Sequence, residues 1–98
     1  MSSNQVRPKL LSASHILVKH EYEAKDILKK LSEGEDFGKL AKDFSQCPSS
    51  KDEGYLGFFA PRQMVPAFEQ ALLLLKEGEI SKPIKTQFGF HIIRREKA

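Results

Sequence analysis

The sequence predicts an α+β domain built on a small, mostly antiparallel sheet, and three observations carry that expectation. Apolar residues recur at helical spacing in three separate stretches. Four short runs have the β-branched and aromatic make-up of strands. The two kinds of segment follow the order strand, helix, helix, loop, strand, helix, strand, strand, which is too irregular for a doubly wound parallel sheet. At 98 residues the chain is one domain's worth. A domain of that size buries roughly 60–70% of its unfolded surface and folds without metal or disulfide.

Residues 1–10 are polar, carry Pro8 and read as a flexible arm, with the folded domain expected over 11–98. The run from Ala13 to Val18 alternates as a strand, placing His15 and Leu17 on one face and Ser14, Ile16 and Val18 on the other. Ala24, Ile27, Leu28 and Leu31 then mark an amphipathic helix. Glu21–Lys25 and Asp26–Lys30 support its outer face, and Gly34 stops it. Phe37, Leu40, Ala41 and Phe44 restart the pattern, with Asp36 placed to cap the new helix. A break this short predicts that the two helices fold back on each other.

Gln46 to Gly54 is turn-rich and has no apolar period. Tyr55 to Phe59 reads as a strand in which Gly57 invites a close backbone neighbour, and Pro61 ends it. The third helix opens near Val65–Pro66 and buries Phe68, Ala71, Leu72 and Leu75. Leu73 and Leu74 widen its apolar face, so it is expected to be the most buried helix, running to Gly78. Two strand-like runs around Thr86–Gly89 close the chain as a hairpin, the last being Phe90 to Arg94.

Sixteen Lys and Arg against thirteen Asp and Glu give a net charge of +3. The excess is small and interleaved, so nucleic acid is not an expected partner despite the basic ends (Arg7, Lys9, Arg94, Arg95, Lys97). One cysteine excludes a disulfide framework and any multi-cysteine zinc module. No apolar run approaches the ~18–20 residues that cross a bilayer, and Met1 to Leu11 lacks a signal-peptide core. The expected address is the cytosol if the chain is full length, and the expected state is a monomer.

Nucleotide-binding glycine loops, H-E-x-x-H and C-x-x-C are absent. What remains is His15, Cys47, Thr86 and His91, polar residues in or near apolar runs. If the first and last strands are neighbours, the two histidines meet. Three readings then stay open. Cys47 activated by a histidine would be a nucleophile; two His with one Cys would be a metal site; and strand histidines ordinarily share their ring protons with a neighbour and do nothing more. By spacing alone, Met64 and Phe68 are core residues on one helix face.

Taken together, the residues resemble the parvulin family of peptidyl-prolyl isomerases from Ser14 to Arg94. His15-Ile16-Leu17-Val18 is similar to its H-I-L-V strand, Phe37-Gly38-Lys39-Leu40-Ala41 to its F-x-x-L-A helix, and Cys47-Pro48-Ser49 to its C-P-S. Leu56-Gly57 with Phe59 is similar to L-G-x-F, Gln63-Met64-Val65-Pro66-Ala67-Phe68 to Q-M-V-P-x-F, and Thr86 to Ile93 to T-x-F-G-[YF]-H-I-I. The resemblance implies a four-stranded antiparallel sheet surrounded by about four helices in the order β-α-α-α-β-α-β-β, which adds a short helix near Cys47–Ser50.

It further implies a polar network of His15, Cys47, Thr86 and His91. Leu56, Met64 and Phe68 become a pocket for the proline ring, with Phe59 at its wall or rim, replacing the core reading of Met64 and Phe68. No cofactor or metal is implied, and the partners are proline-containing peptides and unfolded or nascent proteins. Two departures stand out. Tyr55 occupies a position where the family commonly has aspartate. The link after Lys19 also lacks the paired arginines of the phosphate-directed branch and carries Glu21 and Glu23 instead, so no phosphoserine requirement is expected. The rival classes are a peptide-holding chaperone module and a weak nucleic-acid binder.

Overall fold

The computed structural model of the chain describes residues 9–98. The expected arm, residues 1–10, lies mostly outside the described residues. Strand β1 (Leu11–Val18) is followed by helix α1 (Glu21–Ser32), helix α2 (Phe37–Phe44) and a 3-10 turn over Pro48–Asp52. Strand β2 (Tyr55–Phe59), helix α3 (Pro66–Leu73) and the hairpin of β3 (Ile84–Thr86) and β4 (Gly89–Arg95) complete it. The sheet is antiparallel throughout, in the order β2-β1-β4-β3. The 3-10 turn stands where the resemblance implies an extra helix, and with it the helical segments among the described residues number four.

β1 is central and covered on both faces, which is why its apolar residues do not follow a simple alternation. Ile16 and Val18 join Ala24, Ile27, Phe37, Leu40, Ala41 and Ile92 in one cluster beneath α1 and α2. Leu11 and Ala13 join Phe59, Phe68, Leu72 and Ile93 in a second, beneath α3. The neighbours Ile92 and Ile93 of β4 fall into different clusters, as the pleat requires. The helix starts follow local chemistry: the Asp36 carboxylate accepts the Lys39 N–H at 2.9 Å, and Glu23 Oε1 accepts the His20 N–H at 2.9 Å.

Three expectations are corrected. α1 and α2 do not pack chiefly along one another; each lies on the sheet, and their apolar residues meet in the cluster they share with Ile16, Val18 and Ile92. α3 is not the most buried helix and does not run to Gly78. It ends at Leu73, burying Phe68 and Leu72 but leaving Leu73 53% and Leu74 86% exposed. The Gly78 N–H donates to the Arg95 carbonyl at 2.7 Å, drawing the chain off the helix axis and onto β4. A Cβ on Gly57 would meet none of the described residues within 4 Å; the glycine is needed for its φ of +76° at the irregular register between β1 and β2. Its carbonyl accepts the Ser12 hydroxyl at 2.9 Å, and the Tyr55 hydroxyl lies 3.4 Å from the same Ser12 oxygen. Tyr55 therefore stitches β2 to β1.

Candidate active site

β1 and β4 are hydrogen-bonded neighbours, and their register sets Leu17 opposite His91 and His15 opposite Ile93. His15 and His91 are thus diagonal on one face of the sheet. Their Nδ1 atoms lie 3.0 Å apart, with rings nearly parallel at 18°. His91 Nε2 meets Thr86 Oγ1 across the hairpin at 2.7 Å, and the Phe88 N–H donates to the same hydroxyl at 3.2 Å. Phe68 of α3 sets its ring edge-on to both imidazoles, at 5.6 Å from His15 and 5.5 Å from His91.

An Nδ1···Nδ1 contact is a hydrogen bond only when one nitrogen carries a proton and the other does not, so the geometry excludes two charged rings at once. Burial acts the same way. His15 is pushed down to about 4, first by desolvation and then by His91, and His91 is lowered by desolvation. His15 Nε2 is buried and has no hydrogen-bond partner among the described residues.

Between pH 6.5 and 4 the unfolded chain binds a proton at position 15 that the folded chain refuses, so stability falls as pH drops through that window. The loss reaches about 3 kcal/mol for His15 alone. Urea unfolding from pH 7 to 4.5 is expected to show a steeper pH slope for the native chain than for His15→Leu. Equal slopes would refute the buried, neutral state.

Above this network lies a cavity of about 510 Å³. Leu56, Met64, Val65 and Phe68 form an apolar side, while His15, His91, Cys47 and Gln46 form a polar one; Leu17, Pro48, Gln63 and Phe88 complete the lining. Local backbone chemistry brings these residues in. Past the end of β2, residues 45–46 take over the free edge of β1: Ser45 Oγ accepts the Leu17 N–H at 3.0 Å, and the Gln46 N–H donates to the Leu17 carbonyl at 2.8 Å. Ser45 Oγ also accepts the Cys47 N–H at 3.4 Å. Across the cavity, Gln63 Oε1 accepts the Ala60 N–H and Glu69 Oε1 the Arg62 N–H, each at 2.6 Å, which fixes the turn that delivers Met64.

The structure brings His15, His91 and Thr86 into one hydrogen-bonded chain and sets Cys47, Leu56, Met64 and Phe68 around the cavity. Phe68 serves two purposes, since it is 2% exposed and belongs to the core cluster as well as the cavity floor. Phe59 is a correction. It does not line the cavity but packs under it with Leu11, Phe68 and Leu72, because the backbone at Gly57 turns its side chain inward. The metal alternative of two His and Cys47 is not assembled: among the described residues, no three His, Cys, Asp or Glu side chains converge to hold a metal ion.

Leu17, Gln46, Pro48, Gln63, Val65 and Phe88 line the cavity without having been singled out from sequence. Leu17 was legible, being two residues from His15 on the same strand face. Phe88 sits on a turn, where periodicity gives no signal.

A family model described as "Rotamase: PPIC-type PPIASE domain" matches residues 15–97. The foldase protein PrsA of Geobacillus kaustophilus is 54% identical over 89 residues, covering 90% of this chain and 31% of that protein. The chain therefore spans about a third of the length of that curated relative. Among solved structures, PrsA from Bacillus anthracis superposes with a TM-score of 0.88 at 46% identity, covering 91% of this chain and 42% of that one. NmPin, the parvulin of Nitrosopumilus maritimus, superposes at 0.81 with 46% identity, covering 95% of this chain and 100% of that one.

Proposed function

The chain belongs to the PPIC-type peptidyl-prolyl isomerase family, and on that premise we propose that it accelerates cis/trans rotation about Xaa-Pro bonds without a covalent intermediate, a cofactor or a phosphoserine. The observation that supports this best is the joining of a neutral His15–His91–Thr86 chain to an apolar cavity wide enough for a proline ring.

Amide resonance sets a barrier of about 20 kcal/mol to rotation. In the twisted transition state that resonance is lost, the C–N bond is single-like, and the proline nitrogen gains a lone pair that accepts a hydrogen bond. Leu56, Met64 and Phe68 grip the ring, while the polar side of the cavity meets the carbonyl as it turns. His15 and His91 fix each other's tautomer, and Thr86 anchors His91. A thousandfold acceleration asks for about 4 kcal/mol of preferential binding to the twisted form. One or two oriented dipoles in a site with little water are of that size.

Cys47 acts as polar wall, since rotation forms and breaks no bond to sulfur. The absence of Lys and Arg from the cavity lining among the described residues supports turnover without phosphate, as do the acids Glu21 and Glu23 directly after the β1–α1 link. The clients are proline-containing peptides and unfolded or nascent proteins, met by a monomer. The single free thiol in the cavity favours a reducing compartment such as the cytosol. Among the described residues, no helix is long and apolar enough to cross a membrane.

Exchange NMR on Leu-Pro, Glu-Pro and phosphoserine-Pro peptides at substoichiometric protein tests the reading. Exchange is expected to quicken for Leu-Pro or Glu-Pro, with no need for phosphate, and Cys47→Ser and Cys47→Asp are expected to keep most of that acceleration. Quickening for phosphoserine alone, or loss to the uncatalysed rate in both folded Cys47 variants, overturns it. Binding without quickening makes the domain a holding module.

A further inference from the structure

The turn that joins β2 to α3 is tied by its own side chains. The Gln63 N–H donates to the Ala60 carbonyl at 3.3 Å, and the Ala60 N–H donates back to Gln63 Oε1 at 2.6 Å. Between them Arg62 holds a φ of +73°, a region that residues with a Cβ rarely occupy, and the Glu69 carboxylate keeps it there by accepting its N–H at 2.6 Å. The side-chain amide of Gln63 is thereby fixed in the lining of the cavity. That bond also decides which end of the amide is free. A backbone N–H can be accepted only by the oxygen, so Oε1 faces Ala60 and the NH2 end is left with its donors. Among the described residues nothing accepts from them.

A peptide that contains proline calls for such donors. The proline nitrogen carries no hydrogen, so an Xaa-Pro segment brings more carbonyls than N–H groups. A carbonyl that leaves water without finding a donor weakens binding. Several donors around the cavity are already engaged. The Gln46 N–H is bonded to the Leu17 carbonyl, the Cys47 N–H to Ser45 Oγ and the Phe88 N–H to Thr86 Oγ1. Both ring nitrogens of His91 are occupied as well. Gln63 has donors to offer, and it offers them beside Met64, across the cavity from the polar chain.

We propose that Gln63 is a substrate-binding residue whose side-chain NH2 donates to a backbone carbonyl of the bound peptide, one that stays in place while the Xaa-Pro bond turns. The proposal rests on the isomerase reading above. A bond to a stationary carbonyl holds planar and twisted peptide equally, so it acts on KM and leaves kcat alone.

The test uses Gln63→Glu, which keeps the side chain's length and an oxygen for the Ala60 N–H but has no N–H to give. A capped Leu-Pro peptide is titrated at about 0.5 M salt, which screens the added charge. Kd from chemical shifts and KM from exchange NMR are expected to rise about tenfold, with kcat within about twofold of native. The Ala60 N–H is expected to stay as protected from hydrogen exchange as in the native chain. In the native chain, the side-chain NH2 protons of Gln63 are expected to move downfield as peptide is added. An unchanged Kd in Gln63→Glu with Ala60 still protected overturns the proposal and leaves Gln63 with the turn alone. Should the turn loosen in the variant, NH2 protons that do not move in the native titration overturn it. If the peptide binds without being turned over, the isomerase reading fails on its own, and Kd and the NH2 signals still decide what Gln63 does.

Discussion

Phe68→Ala is expected to cost about 3–5 kcal/mol of folding stability and to lower isomerisation by at least about a hundredfold. Phe68 is 2% exposed and packs with Leu11, Ala13, Phe59, Leu72 and Ile93, so its removal opens a void that a closely packed core cannot refill. The ring also stands edge-on to both histidines. Without it, water reaches His15, the desolvation that keeps the pair neutral is relieved, and the floor under the proline ring is lost. Urea unfolding at pH 7 measures the first effect and peptide exchange the second, with Phe68→Leu as a milder partner that keeps the fold. A stability loss below about 1 kcal/mol in Phe68→Ala would show that the ring is not the keystone its packing implies.

Gly54→Ala is expected to destabilise by about 2–5 kcal/mol, a large effect for one methyl group. Gly54 has a φ of +85°, and a Cβ there would lie 2.5 Å from the His15 carbonyl oxygen and 3.1 Å from the Ala41 side chain. Its own carbonyl accepts the His15 N–H at 2.9 Å, so the strand that carries the histidine cannot move away without losing that bond. Gly57→Ala is the control. It has a comparable φ of +76°, and a Cβ there would meet none of the described residues within 4 Å, so it bears only the conformational cost of about 1–2 kcal/mol. Similar losses in the two variants, read from thermal or urea melts, would mean that the close approach at Gly54 is unimportant.

The elements with a strong apolar period were legible from sequence because burial on one face leaves a spacing that survives in one dimension. α1 and α2 carry it, and Asp36 marks the start of α2. The end of α3 was not legible. Leu73 and Leu74 are as apolar as Leu72, and what stops the helix is the pairing of Gly78 with Arg95, a contact set by the hairpin. The histidine pair shows the same limit. His15 and His91 are 76 positions apart, and only the strand order makes them neighbours. Spacing alone left nucleophile, metal and structural readings open, and the family resemblance narrowed them. The rim position that the resemblance implied for Phe59 fails for a local reason: the irregular register around Gly57 pairs Phe59 with Leu11 and turns its ring into the core that Leu56 packs against.

The pairing of β1 with β4 also decides how the domain can be wired into a longer polypeptide. The first and last strands are antiparallel neighbours at the centre of the sheet, with Ala13 opposite Arg95. Incoming and outgoing chain are thus about one strand spacing, roughly 5 Å, apart. Both leave from the end of the strands opposite Leu17 and His91, where the cavity opens. A host protein can accept this fold as a cassette, looping it out from a single point on its own surface, with the cavity on the side facing away from the joint.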